Sequence, residues 1–164
     1  MVIGFYEEDA PRHVERFKEL AREGFYDGIL WHRVVPAFAI QAGDPMTKDP
    51  HTPRAEYGKH GSGQMLNAEF NEREHHRGAV GMARHTDASE QRETFYDTAD
   101  SQFYIVLEDQ PHLDRKYTVF GHLLDGYPVA DSIAAVETDI HGVPIRPVPI
   151  DSIRIKARSE VEIP

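Results

Sequence analysis

Residues 25–45 read FYDGILWHRVVPAFAIQAGDP, and this stretch places one arginine among aromatic and apolar residues on two short strands joined by a turn. Leu30, Trp31, Val34 and Val35 are apolar or aromatic, His32 and Arg33 interrupt them, and the run breaks at Pro36-Ala37 before a second apolar segment, Phe38-Ala39-Ile40. Proline has no N–H to give to a ladder, so Ile29 to Val34 and Phe38 to Ala42 read as separate strands. A guanidinium held beside an apolar floor is a candidate site. A strand arginine pointing into solvent is the plain alternative, since arginine is seldom fully buried without a partner. This segment alone leaves both readings open.

Upstream, Val2 to Tyr6 reads as a strand ended by Glu7-Glu8. A helix should follow, with Asp9 as N-cap, Pro11 in the first turn, Val14, Phe17, Leu20 and Ala21 at helical spacing, and Gly24 as the stop. Downstream, residues 46–64 show no sustained period and hold Pro50, Pro53, Gly58, Gly61 and Gly63, the pattern of a long loop wrapping the body. Val80 to Met82, Gln102 to Leu107 and Thr118 to Leu124 read as further strands, with a second long loop from His85 to Asp100. A helix beginning at Pro128 should turn Val129, Ile133, Ala134 and Val136 inward, and Ile150 to Lys156 reads as a terminal strand. Many short strands with only two helices point to a β-barrel or sandwich with helical caps.

Hydrophobic residues make up 40% and charged residues 28% of the 164 positions, so one domain over 1–164 with a substantial core is expected. Net charge is −10, which lacks the basic footprint that phosphate neutralisation requires; no nucleic-acid partner is expected. The absence of cysteine excludes disulfides and thiolate catalysis. No window reaches the ~18 apolar residues of a membrane span, and Met1 to Glu8 carries no basic region followed by an apolar one, so a cytoplasmic monomer is the default expectation. His75-His76 with Glu72 and Glu74 is the densest group of metal-ligand types, but adjacent side chains on an extended segment point apart, and these residues read as a solvated loop with no metal site. Gly61-Ser62-Gly63 lacks the strand-to-helix context of a nucleophile elbow.

Four blocks beyond the opening stretch occur in a recognisable order: Ala68-Glu69-Phe70-Asn71, Gly78 to Arg84 (GAVGMAR), Ser101 to Ile105 (SQFYI), and His112-Leu113-Asp114 with Tyr117 to Gly121 (YTVFG). Together with HRV and the Gln41–Asp44 core they make the chain resemble the cyclophilin-type peptidyl-prolyl cis-trans isomerases over most of its length. The resemblance implies a mainly β fold, an eight-stranded antiparallel β-barrel capped by two α-helices. It also implies a strand ahead of Val2 to Tyr6, so the barrel is expected to lack its first strand. Either the native N-terminus is longer, or Val161 to Ile163 covers the exposed edge, which would otherwise invite edge pairing.

By the same resemblance, Arg33 and Gln41 would be catalytic. Phe38, Ala39, Tyr104 and Leu113 would line the proline slot, Gln102 would hold the substrate backbone with Gln41, and Ala83, Arg84, His112 and Tyr117 would complete the substrate-binding set. The chain departs from the family where Ala39 replaces a common methionine, Tyr104 a phenylalanine and His112 the tryptophan associated with tight cyclosporin binding; weak cyclosporin affinity is expected. Arg84 and His85 replace uncharged neighbours. The activity implied is cofactor-free rotation of X-Pro bonds in polypeptide substrates during folding, and the competing class is a cyclophilin-like module that captures proline-containing segments without turnover. Retention of Arg33, Phe38, Gln41 and Gln102 favours the enzyme, while Ala39, Tyr104 and His112 keep the module open.

Overall fold

The computed structural model describes residues 1–84, 95–161 and 163. Its elements run β1 (Val2–Phe5), α1 (Pro11–Arg22), β2 (Arg33–Val35), β3 (Ala39–Ala42), β4 (Ala79–Arg84), β5 (Ala99–Val106), β6 (Val119–Asp125) and α2 (Tyr127–Ala134). All strand pairings are antiparallel, and the six strands form one sheet in the order β1-β6-β4-β5-β3-β2. Mainly antiparallel β with two helices is what the resemblance implied. The strand count is six among the described residues, against the seven of an eight-stranded barrel that lacks its first strand.

Two of the expected strands change character. Ile29 to Trp31 do not extend β2; they pair instead with residues 148–150, through Leu30 opposite Pro149 and the bonds Trp31 N–H to Val148 O and Ile150 N–H to Ile29 O. The expected strand from Ile150 to Lys156 therefore shrinks to a short contact at its beginning. Of the proposed cover for the sheet edge, residue 162 lies outside the described residues, as do residues 85–94 of the second long loop.

The main core lies between the sheet and α1. Val14, Phe17, Leu20 and Ala21 are buried as their spacing predicts, and Phe17 meets Tyr26, Phe103 and Phe120 at ring-centroid distances of 4.9, 5.2 and 5.3 Å. Asp9 does not cap α1. Its carboxylate accepts from Arg73 at 2.8 Å, and the N-cap is Ala10, which has no side chain able to accept. Glu69, 56 residues away from His13, takes the role: its Oε1 accepts from Arg12 N–H at 3.2 Å and its Oε2 from His13 N–H at 3.0 Å. A carboxylate satisfies unpaired N–H groups at a helix start and complements the positive end of the dipole. In α2, Ala130 and Ile133 turn inward, whereas Val129, expected on the apolar face, is 48% exposed.

Candidate active site

Residues directly opposed in antiparallel strands share a face. Arg33 stands opposite Gln41, Gln41 opposite Tyr104, and Tyr104 opposite Gly81, so one row runs across β2, β3, β5 and β4. The period of two sends Ile40, Phe103, Ile105, Val80 and Met82 to the helix-covered core and leaves Ala39, Tyr104, Val106 and Ala79 in a second, smaller cluster, against which Phe38, Ala83 and Tyr117 pack. On that second face lies a cleft of about 820 Å³.

Arg33, Phe38, Gln41 and Gln102 line this cleft, as do Ala83, Arg84, Tyr104, Leu113 and Tyr117. Two expected members do not. Ala39 is 1% exposed and sealed within the small cluster, because its side chain faces Val106 across the ladder and Phe38 packs over that cluster. His112 stands behind the wall, its ring stacked on Phe38 at 6.2 Å and 24°. Phe38 follows Ala37, whose φ of 60° closes the turn between β2 and β3.

The guanidinium of Arg33 is half-buried, its carbon 5.4 Å from the Phe38 ring centroid, and it has no ion pair among the described residues. Burial lowers its pKa, an effect that nearby Tyr117 opposes, and a guanidinium remains cationic at neutral pH. Beside it, Gln41 donates through Nε2 to Oε1 of Gln102 at 2.9 Å. Gln102 in turn donates to the carbonyls of Gly58 and His60 at 2.9 and 2.7 Å, which ties the long loop to the sheet. The Gln102 amide is thus committed to the protein's own backbone.

That loop is part of the site. Arg54, Tyr57, Gly58 and His60 line the cleft, joined by Asp139 and His141 from the connection after α2. Length was the only sequence signal for them. Arg54 bonds the carbonyls of Val143 and Pro144 at 3.0 and 2.7 Å, holding the two segments together. Asp44, fully buried, accepts from the N–H groups of Met46 and Gly58 at 2.8 and 2.7 Å and so ties the start of the loop to its middle. Arg84 is clasped by Tyr117 and Tyr96, with its guanidinium carbon 4.4 and 4.9 Å from their centroids.

His32 and His75 were not singled out as buried, yet both are. His32 lines the cleft yet is only 3% exposed, and neither ring nitrogen has a hydrogen-bond partner among the described residues. Burial, partly opposed by Asp44, takes its pKa down to about 4. His75, expected in a solvated loop, is 1% exposed and bridges Asp114 and Tyr104 at 2.8 Å each. The signal for it was the Tyr104 hydroxyl, which needs a partner when buried.

A family model described as "Cyclophilin type peptidyl-prolyl cis-trans isomerase/CLD" matches residues 1–155. The chain is 36% identical over 150 residues to the peptidyl-prolyl cis-trans isomerase ppi1 of Schizosaccharomyces pombe, spanning 92% of this chain and 88% of that protein. It is 39% identical over 127 residues to a probable peptidyl-prolyl cis-trans isomerase of Brucella abortus, spanning 76% of this chain and 61% of that protein. Among solved structures, a cyclophilin-type isomerase of Cryptosporidium parvum, determined in the presence of the dipeptide Ala-Pro, superposes with a TM-score of 0.79 at 25% identity, covering 95% of this chain and 92% of that one. The chain belongs to the cyclophilin-type peptidyl-prolyl cis-trans isomerase family. Isomerisation of X-Pro peptide bonds is the activity that membership assigns.

Proposed function

We propose that the cleft receives the proline ring of an X-Pro segment beside Phe38, and that Arg33 donates to the prolyl nitrogen or the adjacent carbonyl as the amide twists. Rotation passes a state in which amide resonance is lost, with a barrier of about 18–20 kcal/mol for peptide bonds in general. No covalent bond breaks, so the chemistry calls for no cofactor. The twisted nitrogen becomes pyramidal and basic, and a fixed guanidinium that donates to it stabilises that state more than either planar one. The supporting observation is a half-buried arginine with no ion pair among the described residues, held against Phe38 at 5.4 Å and opposite Gln41 in the ladder. Its donors are not spent on a carboxylate among the described residues.

One differentially expressed charge-assisted hydrogen bond is worth about 1.5–3 kcal/mol, or roughly one to two decades of rate. Arg33→Ala should therefore lower kcat/KM on an Ala-Pro peptide by about 10- to 100-fold. NMR exchange or a protease-coupled assay measures it, and a wild-type rate no greater than the variant's would leave a binding module instead. The clients are unfolded chains and exposed loops, where X-Pro isomerisation is a slow folding step. Cyclosporin should bind weakly because His112 backs Phe38 from outside the cleft; a nanomolar Kd in calorimetry contradicts this.

A further inference from the structure

We propose that His75 and Asp114, neither of which lines the cleft, are positioning residues that hold the Tyr104 ring in the one orientation isomerisation uses. This rests on the isomerase reading of the cleft and adds a control layer beneath it.

The direction of the hydrogen bonds follows from the chemistry of the three groups. An ionised carboxylate only accepts, so at 2.8 Å from Asp114 Oδ1 the Nδ1 of His75 must carry the proton. The backbone N–H of His75 donates to the same oxygen at 2.8 Å and fixes the residue at both points. Neutral imidazole has one N–H, which leaves Nε2 bare, and the Tyr104 hydroxyl 2.8 Å away donates into it. Burial lowers the pKa of His75, favouring this neutral form. Three groups thus form a one-way chain from the pocket wall to a carboxylate.

Packing restricts the ring as tightly as the hydrogen bond does. His75 lies nearly parallel to Tyr104 at 6.0 Å and 16°, while Tyr117 meets it edge-on at 6.1 Å and 84°. On the remaining side stands Gly81, opposite in the ladder; a Cβ there would clash with the Cζ and hydroxyl oxygen of Tyr104. The site has therefore given up a side chain on β4 to seat this ring. Because Tyr104 shares the cross-strand row with Gln41 and Arg33, its orientation sets the wall against which a proline ring rests relative to the guanidinium. A shift of the wall changes the geometry of the twisted state more than the affinity for the planar one, so it acts on kcat.

The test is isomerase kinetics on an Ala-Pro peptide with Tyr104→Phe, His75→Asn and the double variant. Phenylalanine fills the same volume without the hydroxyl, and asparagine can keep a donor on Asp114 while falling short of Tyr104. Each single change should lower kcat about five- to twenty-fold with KM within about two-fold. The double variant should lose no more than the worse single one, because both remove the same bond. Asp114→Asn, whose amide oxygen still accepts, should keep near-wild-type kcat, and Asp114→Ala should not. Long-range ¹⁵N spectra of wild type should show the Nδ1–H tautomer at His75, with Nε2 shifting in Tyr104→Phe. An active wild type with Tyr104→Phe at the same kcat, or His75 as the Nε2–H tautomer, overturns this inference alone. A wild type no faster than Arg33→Ala overturns the isomerase reading with it.

Discussion

The two faces of the sheet are built from the same strands and do opposite work. Toward α1, the side chains are large and aromatic: Phe17, Tyr26, Trp31, Phe103 and Phe120 interlock, with Phe103 edge-on to Phe17 at 88° and to Tyr26 at 89°. On the other face the sheet carries three alanines, Ala39, Ala79 and Ala83, beside Tyr104, Val106 and Val119, and polar side chains such as Arg33, Gln41 and Gln102 line the cleft there. β5 carries both programmes, since Gln102 and Tyr104 face the cleft while Phe103 and Ile105 face the core. Every residue of β5 is nonetheless buried. Alternation here does not separate solvent from core. It separates a face that is packed for stability from one that is covered by a loop and left with room.

The contrast is broken most severely by a large-to-small change on the packed face. Phe17→Ala should cost about 3–5 kcal/mol, because it opens a cavity among four rings. Denaturant unfolding measures the loss, and kcat/KM of the folded fraction should stay within about two-fold of wild type. Arg33→Ala should show the reverse, a large loss of rate with little loss of stability. If both variants moved both properties together, the division of labour between the faces would be wrong.

Acid reaches the boundary between the faces through His32. Its folded pKa of about 4 lies below the ordinary 6.5, so between those values the unfolded chain binds the proton that the native state refuses. Stability from this group is fully present above about pH 6.5 and is lost as pH falls toward 4, by about 3 kcal/mol in total. His32→Gln should flatten the slope of unfolding free energy against pH across that window, although carboxylates such as Glu69 still titrate below it.

The smallest effect is expected at the start of α1. Glu69→Ala removes the acceptor of two helix N–H groups and of the His13 ring nitrogen at 2.7 Å, and should cost about 1–2 kcal/mol. A thermal melt checks it. The cleft lies on the other face, so the rate should be unchanged.

Much of this could be read from local chemistry. The amphipathic period of residues 14–21 marked α1 because a helix must turn every third or fourth residue inward, and the Pro36 break separated β2 from β3 because proline cannot feed a ladder. Gly24 ended the helix as expected, with φ of 70°. The sequence points to Asp9 as the cap of α1 because Asp9 is near in sequence, whereas Glu69, which takes the role, is near only in space. His75 reads as a solvated residue in sequence because nothing adjacent to it shows that Asp114, 39 positions on, and Tyr104, 29 positions on, close around it.

By itself, the sequence determined the inward period of α1, the breaks between elements, and an ordered set of residues that identifies the family. Those are properties of neighbouring residues, and local sterics and burial decide them. Only the tertiary structure decided which residues meet: that Gln102 spends its amide on the loop at Gly58 and His60, that Ala39 and His112 stay out of the cleft, and that a carboxylate and an imidazole stand behind Tyr104. Hydrogen bonds across tens of residues depend on strand register and loop path, which are set when the chain closes as a whole.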